Sequence, residues 1–247
     1  MASAESFSRQ EQKLSTGFYR HQSKDRLLVA VPRSDLFLMR IAKEGYPFVL
    51  ITGAFAIVAW ALGWMPVAII LGVFALGFLG FFRDPERRTP DGEGLIVAPA
   101  DGKIVSITKA KPGPLMKNAD SRVSIFLSPL DVHINRSAVV GKISDVKYTP
   151  GKYLAAYKEE ASEQNEQNSL KLVDDQGREV EIVQVAGVLA RRIICRVRKN
   201  DFLSRGARFG LIMFGSRTDL YLPANTRIEV SEGQRVRGGE TIIGRFV

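Results

Sequence analysis

The sequence predicts a mainly β protein: a flattened β-sandwich core preceded by an N-terminal hydrophobic helical hairpin. Three observations predict it. Residues 47–82 contain no charged residue, a run longer and more apolar than a core helix of a soluble domain needs. Beyond residue 83 the chain breaks into short runs rich in Val and Ile, punctuated by Gly, Pro and Asp, the pattern of strands and turns. No long amphipathic helix alternates with those runs, so a doubly wound parallel sheet is excluded.

Residues 1–45 come first and read as a polar tail. Arg9, Lys13, Arg20, Lys24 and Arg26 mix with Glu5, Glu11 and Asp25, and no apolar run leads to a small-residue cleavage site, so this is not a secretory signal. His21 lies in that tail, where a solvated side chain without a role is expected. The segment 46–82 follows as a membrane-associated hairpin. Gly63-Trp64-Met65-Pro66 interrupts it near its centre; Pro66 suits the first turn of a second helix, and Trp60 and Trp64 suit a membrane interface. Arg33, Arg40 and Lys43 precede the hairpin and Arg83, Arg87 and Arg88 follow it. Positive charge on both flanks puts both ends on the cytoplasmic face of the cell membrane.

Residues 83–247 form the β-rich body. The runs GLIVAPADGKIVSI, SRVSIFLSP, VVGKISDVKYT, EVEIVQVAG, RRIICRV and FGLIMF are its strands. GLIVAPADGKIVSI and RIEVSEGQRVRGGETIIGRF resemble each other, with strands around glycine-centred turns as in the sandwich of lipoyl- or biotin-carrier modules. No lysine stands at a tight hairpin tip to carry such a cofactor. The chain has 247 residues, a net charge of +9, one cysteine and two histidines. The charge calls for an anionic partner; without an aromatic-basic module, a lipid surface is expected rather than nucleic acid. A lone Cys195 between apolar neighbours is a core residue, and a structural metal site lacks ligands.

Three elements carry chemistry. FGLIMFGSRTDLYLP reads as one strand with Gly215-Ser216 in its middle, where glycine costs stability and marks a bulge or a close backbone approach. His133 lies in FLSPLDVHINRSAV, on or just after a strand. Asp101 lies in APADGKI, at a turn. Each alone has an ordinary structural explanation, and the order Asp, His, Ser does not by itself make a triad.

Taken together, FFRDPERRTP, IVAPADGKI, SIFLSPLDVHINR, TPGKYLAAYKEEASEQNEQN and FGLIMFGSRTDLYLP resemble the phosphatidylserine decarboxylase proenzymes of the short bacterial type, from about the hairpin to the carboxyl end. The resemblance implies that the chain cuts itself between Gly215 and Ser216 into a β chain, 1–215, and an α chain, 216–247, and that Ser216 becomes a covalent pyruvoyl group. It implies a substrate, phosphatidylserine, whose amine forms a Schiff base with that group and which leaves as phosphatidylethanolamine and CO2. Ser216 Oγ would attack the carbonyl carbon of Gly215, which has no Cβ to obstruct it; β-elimination and hydrolysis would then leave the ketone. His133 is the expected proton donor, and Asp101 would orient His133 or assist the cut. Lys152, Tyr153, Asn165 and Glu166 match the substrate-side loop.

One departure stands out. Longer relatives carry a second histidine three positions after the His133 equivalent, in the self-cleavage triad; here Arg136 occupies that place. Either His133 serves both steps, or Asp101 and backbone strain drive the cut. Other readings are a decarboxylase of an ether-linked serine lipid and a non-catalytic membrane-anchored scaffold. The sequence leaves the oligomeric state open, a homo-oligomer included.

Overall fold

The structure, a computed structural model, describes residues 40–110, 112–156, 160–188, 192–213 and 215–247. His21 and nearly all of the expected polar tail lie outside the described residues. The apolar segment forms two helices, α1 (Tyr46–Ala61) and α2 (Met65–Phe81). Each has a proline in its first turn, where the missing N–H costs nothing. Gly63, at φ 76°, reverses the chain between them. Leu50, Phe55, Trp60, Trp64, Ile69 and Leu76 are all exposed. Residues 43–61 are long and apolar enough to cross a membrane; α2, with 17 residues, is slightly shorter. The base is closed by Ala42 N–H donating to Phe82 O (2.8 Å) and Asp84 N–H to Arg40 O (2.7 Å).

The body is β, as expected, and every strand pair in it is antiparallel. Its strands are β1 (Leu95–Val97), β2 (Gly102–Lys109), β3 (Ser121–Leu127), β4 (Ile134–Arg136), β5 (Gly141–Thr149), β6 (Gln167–Val173), β7 (Glu179–Val185), β8 (Ile193–Cys195), β9 (Phe202–Leu203), β10 (Arg208–Ile212), β11 (Ser216–Leu222), β12 (Thr226–Ile228), β13 (Arg235–Val236) and β14 (Ile242–Phe246). A one-turn helix, α3 (Ala161–Gln164), precedes β6. Eight strands form one sheet in the order β13-β2-β3-β11-β7-β6-β5-β9; β1-β14-β12 and β4-β10-β8 form two smaller ones. The two mutually similar stretches pair with each other, β1 with β14 and β2 with β13. The main core lies between these layers, with Ile104, Ile125, Leu170, Ile182, Phe209 and Leu220 fully buried. Burial of that kind contributes about 1.5–3 kcal/mol per side chain.

The stretch read as one strand is two. β10 ends at Ile212 in a three-stranded sheet, and β11 begins at Ser216 between β3 and β7 of the eight-stranded one. Gly215, at φ 58°, makes the corner where the chain changes sheet. Both halves are apolar and β-branched, so periodicity alone cannot see a change of partner.

Candidate active site

Ser216 opens a central strand, opposite Leu127 of β3. Its side chain is fully buried, and Oγ has no hydrogen-bond partner. A buried hydroxyl left unpaired costs about 1–3 kcal/mol, so such a group calls for an explanation. The carbonyl before it is tightly held: a Cβ built on Gly187, just beyond β7, would lie 2.1 Å from Gly215 O and 3.1 Å from Ala156 Cβ. Gly215 itself is different, because a Cβ there would meet nothing within 4 Å. Gly215 answers to a backbone angle, Gly187 to a lack of space.

A second unpaired buried atom, His133 Nε2, lies nearby in the fold. One tie joins its strand to β10, just ahead of Ser216, and a second joins it to β11, which carries Ser216. Ile212 N–H, just upstream of the corner, donates to His133 O (3.3 Å). Asn135 Nδ2, two residues after His133, donates to Thr218 Oγ1 (3.0 Å), two residues after Ser216. That bond closes a buried polar chain: Asn168 Nδ2 donates to Gln184 Oε1 (3.0 Å) and Gln184 Nε2 to Asn135 Oδ1 (2.9 Å). Alternation along β4 then turns Arg136 the other way. Its guanidinium donates to Gly206 O (3.0 Å) and Pro85 O (2.9 Å) and pairs with Asp84 (3.3 Å). Arg136 thus fastens the segment after the hairpin to the body.

His133 Nδ1 lies 2.9 Å from Asp131 O. A carbonyl only accepts, so Nδ1 carries the proton and neutral His133 presents Nε2 as an acceptor. Burial pushes its pKa down to about 4, with the Arg83 charge adding to the fall, against the opposing pull of the Asp131 carbonyl and carboxylate. The ring lies against Phe81, centroids 4.2 Å apart.

Asp101 does not touch His133 through any hydrogen bond among the described residues. It lies just before the rung Lys103–Phe126–Arg217, two strands from β11, which sets its backbone about 10 Å from that of Ser216. Its carboxylate accepts from Arg87 Nη2 (2.6 Å) and from Gly238 N–H (2.8 Å). Burial raises its pKa, opposed by Arg87 and the Gly238 amide.

The four loop residues divide. Asn165 is buried and its amide is fully engaged, accepting from Leu154 N–H and donating to Leu154 O and Ala186 O. Tyr153 donates to Glu166 Oε2 (2.5 Å), and exposed Lys152 reaches Gln164 Oε1 (3.2 Å). The same loop is held from below by a buried pair that sequence reasoning missed. Arg217 Nε and Nη2 donate to Asp219 Oδ1 and Oδ2 (2.7 and 3.0 Å), and Ser162 Oγ donates to Asp219 Oδ2 (2.5 Å).

Comparison with known proteins now decides the family. The profile described as Phosphatidylserine decarboxylase matches residues 74–244. The chain belongs to that family. It is 46% identical over 213 residues to the phosphatidylserine decarboxylase proenzyme of Symbiobacterium thermophilum, covering 86% of this chain and 99% of the relative. The proenzyme of Syntrophus aciditrophicus is 42% identical over 207 residues, 83% of this chain and 97% of the relative. That of Granulibacter bethesdensis is 49% identical over 183 residues, 73% of each. Within the family frame, the residues that sequence reasoning missed are Gly187, the Asn168–Gln184–Asn135–Thr218 chain, Arg217–Asp219 and Phe81. Gln184 and Thr218 left a trace, as polar residues inside apolar strand runs; Gly187 and Phe81 left none.

Proposed function

We propose that this chain decarboxylates phosphatidylserine to phosphatidylethanolamine and CO2 at the cytoplasmic membrane face, using a pyruvoyl group made from its own Ser216. The carrying observation is the buried, unpaired Ser216 Oγ behind a left-handed Gly215, in a chain with relatives named as proenzymes of this decarboxylase. These residues fit the making of the group. The hydroxyl is dry and free of competing partners, and the carbonyl it must attack is wedged against Gly187. The cut would give fragments 1–215 and 216–247, the second of 247 − 216 + 1 = 32 residues. A ketone at residue 216 supplies the electron sink for loss of CO2 from a serine head group.

The remaining work falls to side chains. His133 Nε2, an acceptor at neutral pH, takes the Ser216 Oγ proton as the hydroxyl attacks. In turnover it takes one proton from the head-group ammonium and delivers it to the α carbon after CO2 leaves; the product amine regains its proton from water on release, so each turnover consumes one solvent proton. Asp101, bound to Arg87 and Gly238, is a frame residue holding the β1–β2 turn. Lys152 and Tyr153, at the loop surface, are the head-group side of the site; Asn165 and Glu166 hold that loop.

The hairpin supports membrane attachment. Helices of 16 and 17 residues are about 24–26 Å long, against a hydrocarbon thickness of about 30 Å. With basic residues at its base and Trp60 and Trp64 toward its tip, it enters from the side that holds the body. The test is intact mass. Wild type should appear as two chains parted between residues 215 and 216, and Ser216→Ala as one. Uncut wild type under conditions of decarboxylation would refute the proposal.

A further inference from the structure

We propose that Phe81, the last residue of α2, is a positioning residue for His133, so that the base of the membrane hairpin forms a wall of the decarboxylase site. This rests on the function proposed above and assigns the hairpin a part in the chemistry beyond attachment. Most large side chains of the hairpin are exposed, but its last turn is different: Phe81 and Phe82 are buried with Val132, Ile134, Leu211 and Met213. Val132 and Ile134 flank His133, and Met213 leads into the Gly215 corner. The Phe81 ring covers the imidazole at 4.2 Å with a 35° tilt, and Phe82 braces Phe81 edge-on at 4.9 Å.

Arg83 bolts the two parts together. Its Nη1 donates to Gly80 O in the last turn of α2 and its Nη2 to Leu130 O in the loop leading to His133, both at 2.6 Å. A tilt of α2 must therefore move the loop, the imidazole or both. The ring is buried and tied through Nδ1 to the Asp131 carbonyl. The charges facing it are Arg83 from the hairpin end and Asp131 from its own loop, and the Asp131 carboxylate is held by Ser128 and by Arg235 of β13. Apolar cover is what keeps the ring neutral, with Nε2 open as an acceptor. Because Phe81 ends the segment that enters the bilayer, the lipid head group meets His133 where the hairpin leaves the membrane.

The measurement is the titration of the His133 ring by nitrogen-15 NMR on the full chain in lipid nanodiscs. His21→Gln leaves His133 as the sole histidine. Phe81→Leu should raise the midpoint from about 4 by about half a unit, and Phe81→Ala by more than one, toward about 6.5 as the cover is lost. The acid limb of the kcat profile should shift with it, a change that loss of packing alone does not produce. Should the alanine variant misfold, the leucine variant decides, since an apolar swap is tolerated by packing. Unchanged midpoints in the folded variants overturn the proposal. A gel of the same preparations separates the two readings: wild type that never splits sinks the decarboxylase assignment while leaving the titration result intact.

Discussion

Replacing Gly187 by alanine should slow self-cleavage sharply while leaving the sheet folded. The new Cβ would stand 2.1 Å from Gly215 O and 3.2 Å from its carbonyl carbon, where ordinary contact begins at 3.4 Å. The carbonyl must therefore retreat by about 3.4 − 2.1 = 1.3 Å. Gly187 cannot yield instead, because β7 is paired along its length with β6 and β11, and Ala156 closes the other side. Attack needs the hydroxyl and the carbonyl carbon within about 3–3.5 Å and aligned, and a misplacement near 1 Å costs about 10²-fold in rate. Cleavage should thus slow by about 10²-fold or more. Gly215→Ala is the control. It meets open space, but its left-handed backbone costs about 1–2 kcal/mol with a side chain. The assay is a time course of full-length and cut chain by gel and mass, with the thermal midpoint measured on uncut protein. An alanine variant at 187 that splits at the wild-type rate would refute the reasoning.

Two further outcomes are expected. His133 has a pKa near 4 in the fold against about 6.5 unfolded, so below pH 6.5 the unfolded chain takes up the proton first. Stability should be level above that pH and fall by about 3 kcal/mol as the pH drops to about 4; in His133→Gln, denaturant titrations across this window should lack that loss, and equal acid slopes would contradict the burial argument. Asp219→Ala leaves the buried Arg217 without its bidentate carboxylate, which should cost about 3–5 kcal/mol. It should also let the 32-residue fragment leave at lower denaturant than wild type, read by size exclusion; an unchanged midpoint would show that the pair does not hold it.

The hairpin and most of the body's strands could be read from local pattern, because a long uncharged run and β-branched runs between turn residues report on their own surroundings. Ser216, His133 and Asp101 stood out for another reason: they sit in motifs whose combined order resembles one family. What they touch was not legible. Sheet partners depend on residues far apart in the chain, so the break of FGLIMFGSRTDLYLP into β10 and β11 appears only once each half has found its sheet. The assignment of Asp101 to Arg87, of Arg136 to Asp84 and Pro85, and of the Asp131 carbonyl to His133 follows from packing. Sequence by itself determined that a serine follows a glycine near the end of an apolar run. Tertiary structure decided that the hydroxyl is buried without a partner, that position 187 has no room for a side chain beside the Gly215 carbonyl, and that Phe81 lies against the imidazole. Those contacts join segments that no local periodicity connects.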